Sequence, residues 1–380
     1  MRIEGDWIAE PATQTLCAAL AAAGHRALFV GGCVRNALLG RPVADIDLAT
    51  DAVPDTVSAV AAAAGFKVVP TGIEHGTVTV IASGIPHEVT TFRRDIETFG
   101  RHAVVAFSTD VAEDAARRDF TMNALYAEAT GEVIDPLGGL PDLIARRVRF
   151  VGDPIQRIEE DYLRILRFFR FHAIYGDPSE GLDAEGLAAC AARAEGLGQL
   201  SRERVGAEMR KLLAADDPAP AVAAMEAAGV LVRVLPGASA RALPVLVHLE
   251  EDRPAGWLVR LASLGGEEVA DRLRLSRADG AALGRLRAAA LEGAPPAEQG
   301  YRLGLDLGAG AVLLHAALSE APPPEGWRAE VARGAGARFP VKAADLMPAL
   351  AGPALGARLR ELEERWIASD FRLDRAALLG

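Results

Sequence analysis

The chain has 380 residues, of which half are hydrophobic, so two to four structural units with sizeable cores are expected. Its formal net charge of −11 excludes wholesale non-specific binding to nucleic acid, although an acidic body can still carry a local basic groove. Three widely spaced cysteines form neither a disulfide framework nor a metal knuckle and indicate a reducing cytoplasm. No signal pattern and no apolar run of about 18 residues is present, so neither secretion nor a membrane span is expected.

The first 142 residues predict a small mixed sheet with helices on one side. In chain order, the pattern predicts a helix over 11–24, a strand over 28–30, a short helix that ends at Gly40, a strand over 45–50, a helix over 54–64, and strands over 66–69, 77–81 and 87–92. A turn is expected over 84–86, a helix or tight turn over 117–123, a strand over 124–127, and a loop over 134–139 with Asp135 and Asp142 as anchors.

Strand signals fade after residue 142, and helical patterns continue from Asp153 to the end of the chain. Breaks that contain proline divide this part into helical bundles, at 176–178, 216–218, 235–237, 294–296 and 322–324. The fold class is therefore predicted to be α+β, with a mixed-sheet domain followed by all-helical domains.

The strongest functional signal is a pair of glycines followed by a pair of aspartates. Gly31 and Gly32 break the first strand and can bring backbone N–H groups close to an anion. Asp45 and Asp47 lie two residues apart on the next strand, so their carboxylates project from the same face. Adjacent carboxylates repel unless a cation lies between them, which favours a divalent metal and a nucleotide triphosphate over a plain solvated strand end.

Four more polar residues further along the chain carry possible functional signals. Glu88 is on a strand expected to pair beside the aspartate strand, where it can complete metal coordination and accept a proton, although an exposed strand residue is the simpler alternative. Arg117 and Arg118 open an element at which arginines can serve phosphate groups. Asn123 can bond a ribose or the backbone, and a helix start rich in salt bridges is the alternative for this stretch.

The segment 160–171 predicts a helix that carries a ladder of charge. Asp161, Arg164, Arg167 and Arg170 follow one another at three-residue steps, and aromatic residues interleave with them. An aspartate and an arginine one turn apart offer an acceptor and a fork of donors that can read the edge of a base, whereas the further arginines can hold a triphosphate. The alternative is an Asp–Arg salt bridge on a surface helix.

Five separated motifs, which cover roughly the first 215 residues, resemble the bacterial class II CCA-adding tRNA nucleotidyltransferases, a group that shares a superfamily with bacterial poly(A) polymerases. The motifs are Gly31–Arg35 with Asp45–Asp47, Glu88–Arg93, Arg117–Ala124, Glu160–Arg170 and Ser201–Leu213. The resemblance implies a nucleotidyltransferase palm as the head at 1–142, a helical neck at 143–216, a helical body at 217–294, and a helical tail at 295–380 that holds tRNA.

The resemblance also implies the catalytic chemistry. Asp45 and Asp47 would hold two Mg²⁺ ions, and Glu88 would be the third active-site carboxylate. The implied function is template-independent addition of CCA to the 3′ end of tRNA from CTP and ATP, with tRNA as the partner and neither a membrane nor a stable protein partner. The residues implied to bind the nucleotide are Gly31, Gly32, Arg35, Arg118, Asn123, Asp161, Arg164, Arg167 and Arg170.

Position 36 departs from the family pattern, which has Asp where this chain has Asn36. If the family residue only orients the turn, little changes, and this is the interpretation we favour; if it steadies Arg35, affinity for the triphosphate falls.

The alternatives for function are a poly(A) polymerase, a partial enzyme that adds only CC or only A, and a non-catalytic RNA-binding relative. The stretch 71–77 favours the CCA-adding type over a poly(A) polymerase, and the segment 95–114 has a length that suits the flexible loop needed for the switch to ATP.

Overall fold

The structure is a computed structural model that describes residues 1–70, 72–73, 76–99, 102–251 and 253–380. The chain divides into two compact units. The first unit comprises Met1–Glu208 and Pro220–Val234, and the second comprises Met209–Ala219 and Leu235–Gly380. The predicted boundaries at 142, 216 and 294 between head, neck, body and tail stay a prediction.

The first unit contains a seven-stranded mixed sheet whose spatial order is β3-β4-β5-β2-β1-β8-β9. Its strands are β1 (Leu28–Val30), β2 (Ile46–Thr50), β3 (Lys67–Val69), β4 (Thr77–Ala82), β5 (Ile85–Thr91), β8 (Tyr126–Ala127) and β9 (Val133–Ile134). Strands β2 and β5 are parallel, and every other neighbouring pair in this sheet is antiparallel. A separate antiparallel ribbon consists of β6 (Arg93–Phe99) and β7 (His102–Phe107).

Helices make up the rest of the first unit, and α10 continues into the second. They are α1 (Asp6–Ala9), α2 (Pro11–Ala22), α3 (Gly32–Leu38), α4 (Pro54–Ala63), α5 (Val111–Ala116), α6 (Leu140–Ile144), α7 (Pro154–Glu160), α8 (Leu163–Tyr175), α9 (Ala184–Ala192), α10 (Arg202–Leu213), α11 (Ala219–Ala227) and α12 (Val230–Val234). In the described part of the chain after Ile134, every regular element is helical, which confirms the predicted α+β class.

The second unit is built from α13 (Ala242–Glu250), α14 (Trp257–Ser263), α15 (Val269–Arg272), α16 (Arg277–Glu292), α17 (Pro296–Leu303), α18 (Leu305–Ser319), α19 (Trp327–Gly336), α20 (Gly352–Ala368) and α21 (Arg375–Leu379). A buried ion pair joins Arg260 to Glu250, and both side chains are 2% exposed. Arg260 also donates hydrogen bonds to the carbonyl oxygens of Leu213 and Asp216, at the C-terminal end of α10. None of the helices in the described residues is both long and apolar enough to cross a bilayer.

The segment between the third carboxylate and the paired arginines differs from its prediction. A loop was expected over 95–114, whereas the backbone forms the ribbon β6–β7 and then α5, which Asp110 caps by accepting a hydrogen bond from Ala112 N at 2.8 Å. Residues 100 and 101 of that segment lie outside the described residues, as do positions 71, 74 and 75 of the stretch that favoured the CCA-adding type.

The predicted helix over 160–171 is interrupted near its start. Helix α7 ends at Glu160, Asp161 has an extended backbone (φ −153°, ψ 103°), and α8 begins at Leu163. The Asp161 carboxylate accepts a hydrogen bond from Leu163 N at 3.1 Å, so it satisfies an N–H group in the first turn of α8. The continuous ladder that begins at Asp161 is therefore wrong, because Asp161 lies in the break between two helices.

Aromatic packing holds α8 against the segment that follows α5. The ring centroid of Phe120 lies 5.0 Å from those of Phe150 and Phe171, and Phe150 stacks on Phe168 at 5.5 Å. These rings are nearly or fully buried, so the face of α8 that carries Phe168 is a core face. This packing fixes the position of the arginines on α8 relative to residues 117–123.

Candidate active site

Three carboxylates meet at the adjoining ends of β2 and β5. The register of this parallel pair places Asp47 directly opposite Glu88, which confirms the predicted pairing of their strands. Asp45 immediately precedes β2, two residues from Asp47, and therefore faces the same side. Asp45 and Glu88 are exposed, whereas Asp47 is half-buried.

The electrostatics of Asp47 show how closely these charges are assembled. Burial, together with the neighbouring Glu88 and Asp45 carboxylates, raises the pKa of the Asp47 carboxyl to about 6, while Arg118 opposes this rise. A cation bound here removes the like-charge repulsion, and carboxylate oxygens are the donors that hard divalent cations prefer. No group of three or more His, Cys, Asp or Glu side chains among the described residues is arranged as a complete metal-ligand set. These carboxylates therefore fit a divalent cation that completes its shell with substrate phosphates and water.

The glycine turn lies beside these carboxylates at the end of β1. Gly31 has φ +68°, a left-handed conformation that favours glycine. A Cβ atom at Gly31 would lie 3.4 Å from Arg118 Nη1, and one at Gly32 would lie 3.8 Å from Arg35 Nη2. Two guanidinium groups therefore lie next to the glycine turn.

Arg118 is clamped so that one edge of its guanidinium points at the glycine turn. Its Nε donates to the Tyr126 hydroxyl at 3.0 Å, and its Nη2 donates to Asp114 at 2.9 Å. The Tyr126 hydroxyl in turn donates to Asp114 at 2.6 Å. Because Nε and Nη2 are held in this way, Nη1 stays beside Gly31, and the charge of Arg118 reaches Asp47.

Asp114 is the centre of this clamp, and the sequence analysis did not single it out. The side chain is 1% exposed and also accepts a hydrogen bond from Arg117 Nε at 3.0 Å. Arg117 and Arg118 hold the pKa of the Asp114 carboxyl down at about 2, although burial acts in the opposite direction. The spacing of Asp114 and Arg118, four residues apart at a helix end, was the signal that could have revealed the pair.

Arg35 is buried, and most of its donors are engaged within the protein. It is 6% exposed, and its Nη1 and Nη2 atoms donate to Asn123 at 2.5 Å and to the Tyr175 hydroxyl at 2.7 Å. Its Cζ lies 4.0 Å from the centroid of the Tyr175 ring. Arg35 therefore braces the glycine turn against the end of α8, and its contact with the nucleotide phosphates stays a prediction.

Asn36 contacts both the loop after α3 and the guanidinium of Arg35. Its amide nitrogen donates to the Pro42 carbonyl at 3.0 Å, which holds the loop after α3. Its amide oxygen accepts from Arg35 Nε at 3.2 Å and from Nη2 at 2.9 Å. Asn36 therefore holds the loop and also contacts Arg35 through a neutral acceptor, and the effect of Asn in place of the family Asp on triphosphate affinity stays a prediction.

Asn123 uses its side-chain amide inside the protein, and its bond to a ribose stays a prediction. Its oxygen accepts from Arg35, and its nitrogen donates to Asp119 at 2.9 Å. Asp119 also accepts from Arg167 Nε at 2.8 Å. The chain of contacts Tyr175–Arg35–Asn123–Asp119–Arg167 therefore starts and ends on α8, and it ties the glycine turn to that helix.

The arginines of α8 are all engaged in ion pairs. Arg164 pairs with Glu160 and donates to the Arg157 and Arg117 carbonyl oxygens, at 2.7 and 3.2 Å. Arg167 pairs with Asp119, and Arg170 pairs with Glu208 of α10. These partners, Asp119, Glu160 and Glu208, were not predicted, because they depend on how distant segments pack.

Asp161 and Arg164 do not form the alternative i,i+3 salt bridge. Asp161 accepts instead from Arg204 of α10 at 2.7 Å and is partly exposed. The Nε of Arg164 donates no hydrogen bond to any residue that the structure describes. Among the described residues, one Asp161 oxygen accepts from Leu163 N and the other from Arg204. Both side chains thus retain hydrogen-bonding capacity for a ligand.

Two stretches of the sequence match family models. Residues 27–149 match the poly A polymerase head domain, and residues 182–241 match the probable RNA and SrmB- binding site of polymerase A. The first stretch contains the three carboxylates, the glycine turn and the Arg118 clamp.

The chain is similar to CCA-adding enzymes in sequence and in structure. A CCA-adding enzyme of Bacillus pumilus is 46% identical over 192 residues, which are 50% of this chain and 46% of that protein. The mitochondrial CCA tRNA nucleotidyltransferase 1 of Homo sapiens is 43% identical over 190 residues, which are 50% of this chain and 44% of that protein. The chain therefore spans about half the length of the curated relatives it matches.

The structural match extends over nearly the whole chain. The crystal structure of the Bacillus stearothermophilus CCA-adding enzyme in complex with CTP superimposes with a TM-score of 0.77 and 30% identity, and it covers 94% of this chain and 93% of that one. A Thermotoga maritima CCA-adding enzyme complexed with tRNA has the same fold, with a TM-score of 0.69 at 18% identity over 96% of this chain and 92% of that one.

Proposed function

Because the chain belongs to the family of CCA-adding enzymes and poly(A) polymerases, we propose that it adds CCA to the 3′ end of tRNA from CTP and ATP. The observation that carries the proposal is the convergence of Asp45, Asp47 and Glu88 beside a glycine turn, with the charge of Arg118 directed at the same place. Nucleotidyl transfer needs these components, namely carboxylates for a metal and a cation near the phosphates.

The carboxylates have separate roles in this proposal. Asp45 and Asp47 hold Mg²⁺, and Glu88 supplies a third carboxylate that accepts the proton of the attacking hydroxyl. Bound Mg²⁺ would lower the pKa of the 3′ hydroxyl and would stabilise the charge on the leaving pyrophosphate. Because Asp47 is half-buried, its carboxylate is less hydrated, and its interaction with a cation is stronger than in water.

Phosphate recognition falls to the glycine turn and Arg118. Gly31 and Gly32 let the triphosphate approach the backbone closely, because no side chain projects from the turn. Arg118 is held by Asp114 and Tyr126 and meets the phosphates with its free edge, so little conformational entropy is lost when it binds them. Arg35 supports the turn from behind.

Base selection falls to Asp161 and Arg164. CTP and ATP both present an exocyclic amino group next to a ring nitrogen that accepts a hydrogen bond, whereas UTP and GTP present a carbonyl and an N–H at these places. The Asp161 carboxylate accepts from the amino group, and the Nε–H of Arg164 donates to the ring nitrogen. Arg167 and Arg170 support this surface of α8 through their ion pairs with Asp119 and Glu208.

We also propose a cytoplasmic location. All three cysteines are free and buried, which suits a reducing compartment. The proposal for the tail, that its helices hold tRNA, follows from the family arrangement alone.

A transfer assay with labelled nucleotides tests the chemistry. The wild type, Asp47→Asn and Glu88→Gln are incubated with MgCl₂, a tRNA transcript that ends before CCA, and α-labelled CTP. The wild type should label the tRNA, Asp47→Asn should abolish labelling, and Glu88→Gln should reduce it by at least about 100-fold, as loss of a general base does. Full activity of Asp47→Asn, with a folded protein, would refute the metal assignment.

A further inference from the structure

Tyr175, the last residue of α8, is the centre of a cluster of arginines. Arg35 donates to its hydroxyl, and the Cζ atoms of Arg35 and Arg41 lie 4.0 and 5.1 Å from the centroid of its ring. Arg146 donates from Nε to the Tyr175 carbonyl oxygen at 3.2 Å. Three guanidinium groups therefore gather around one aromatic residue, two of them in cation–π contact with its ring.

The charge of this cluster is poorly compensated. Among the residues that the structure describes, no carboxylate lies within ion-pair distance of Arg35, Arg41 or Arg146. The nearby Asp177 carboxylate accepts from the backbone and hydroxyl of Ser179, at 2.9 and 2.7 Å, and these bonds and the charge of Arg146 lower its pKa, so Asp177 offsets part of the charge of Arg146. In a chain with a net charge of −11, such an excess of positive charge indicates a place that an anion fills.

The three arginines differ in what they can offer to a ligand. Arg35 is buried, and four of its five N–H donors bond to Asn36, Asn123 and Tyr175. Arg41 is only half-buried and its guanidinium donates no hydrogen bond to any described residue. Arg146 is exposed and uses only Nε. Arg41 and Arg146 are therefore the two that face a ligand.

The position of Arg41 places this cluster near the chemistry. Arg41 lies four residues before Asp45, so their Cα atoms are at most about 14 Å apart even if the chain between them is fully extended. The loop is also held at its start, because Arg41 N donates to the Asn36 carbonyl at 2.8 Å and Asn36 donates to Pro42. The guanidinium of Arg41 is thus presented from a fixed loop that leads directly into the carboxylates.

We propose that Arg41 and Arg146, arranged around Tyr175, form a phosphate-binding patch that holds the substrate next to the active-site carboxylates. The proposal rests on the proposed function and adds two binding residues to it. A phosphate of the tRNA backbone and the triphosphate of the nucleotide share this chemistry, and a guanidinium suits both because it donates two parallel hydrogen bonds to phosphate oxygens. Tyr175 is a positioning residue, because it fixes the arginines without touching the ligand.

Two measurements distinguish the two sources of phosphate. Fluorescence anisotropy gives the affinity for a labelled tRNA transcript that lacks CCA, between 50 and 200 mM KCl, and steady-state transfer gives KM for CTP and ATP. If Arg41 binds an RNA phosphate, Arg41→Gln makes the negative slope of log affinity against log salt shallower by about 0.7 to 0.9. If it binds the triphosphate, the slope is unchanged and KM for both nucleotides rises about tenfold or more. Arg146→Gln is read in the same way.

Matched variants separate binding from bulk charge and from structure. Arg26→Gln removes the same charge from an arginine that is ion-paired with Glu128 at 3.1 Å, and it should change neither quantity. Arg41→Lys keeps the charge and should restore much of the salt slope or of KM. Circular dichroism and thermal melting of every variant establish that it is folded.

The proposal would be overturned if the Arg41→Gln variant and the Arg146→Gln variant are both folded and neither differs from Arg26→Gln in the salt slope or in KM. Failure of the proposed function is visible separately. A wild type that binds tRNA without transferring nucleotides would refute the function, while the salt slope would still report on the patch. A wild type that neither binds tRNA nor transfers nucleotides would refute both.

Discussion

Replacement of Asp114 by asparagine should make the stability of the first unit less dependent on pH. The pKa of this carboxyl is lowered from 3.8 to about 2, by roughly two units, and each unit corresponds to about 1.4 kcal/mol. The charge of Asp114 therefore contributes about 2 to 3 kcal/mol to the free energy of unfolding at pH 7. Because the side chain is 1% exposed, solvent screening reduces this value little.

The sign follows from the direction of the shift. A carboxyl whose pKa is lower in the folded state than in the unfolded chain stabilises the protein above pH 4, and this stabilisation disappears as the pH falls towards 2. The difference in unfolding free energy between the wild type and Asp114→Asn should therefore be about 2 to 3 kcal/mol at pH 7 and roughly half of that at pH 3.

Urea unfolding monitored at Trp7 gives the required readout. Trp7 packs edge-on against Phe29 at 5.1 Å in the first unit, and the other three tryptophans, at 257, 327 and 366, belong to the second. Incorporation of 5-fluorotryptophan separates its ¹⁹F signal, which a Trp7→Phe variant assigns. A difference that is the same at pH 7 and pH 3, or below about 0.5 kcal/mol at pH 7, would refute the electrostatic reasoning.

Three further substitutions test other parts of the account. Asp47→Asn should stabilise the metal-free protein by about 3 kcal/mol at pH 7.5 and by less than about 1 kcal/mol at pH 4, because burial and like charges raise the Asp47 pKa from 3.8 to about 6 and its ionisation opposes folding. Urea unfolding in EDTA checks this, and an equal gain in stability at both pH values would contradict it. Arg164→Ala should weaken the preference for CTP and ATP over UTP and GTP by about 10-fold or more. The measurement is kcat/KM for each nucleotide, and unchanged selectivity would show that Arg164 does not recognise the base. Glu250→Gln should destabilise the second unit by about 3 to 5 kcal/mol, because it leaves the buried Arg260 charge unpaired, whereas a loss under 1 kcal/mol in a urea titration would show that the pair is not essential.

The carboxylate site was predictable because local rules determine it. The alternation of side chains along a strand places Asp45 and Asp47 on one face, and the apolar patterns of two strands are enough to suggest that Glu88 lies beside them. The glycine turn follows from a similar local rule, since Gly31 needs a left-handed backbone. These features depend on neighbours within a few residues or on one strand pairing.

The roles of the arginines were less predictable, because their partners are distant in sequence. Arg35 is buried by Tyr175, 140 residues further along the chain, and nothing in the glycine motif reveals that contact. Arg170 pairs with Glu208 on another helix. A charged residue at regular spacing shows which face of a helix it occupies, but whether that face meets solvent, a ligand or another carboxylate depends on tertiary packing.

The break at Asp161 shows a second limit of periodic patterns. The apolar and charged positions of 160–171 fit one helix, yet α7 ends at Glu160 and α8 begins at Leu163. An aspartate side chain that accepts a hydrogen bond from a backbone N–H competes with helix continuation, and here this local bond prevails. The break also turns Asp161 towards Arg204 of α10, and this contact fixes the carboxylate proposed to read the base.

The central claim, addition of C, C and A to tRNA, is tested most directly by the length and sequence of the product. The purified protein is incubated with MgCl₂ and a tRNA transcript that ends before CCA, first with each nucleotide alone and then with CTP and ATP together. The account predicts that CTP alone adds two residues, that CTP and ATP together add CCA, and that extension then stops. A long tail from ATP alone would identify a poly(A) polymerase, arrest after CC would identify a partial enzyme, and no incorporation under any condition would contradict the proposed activity.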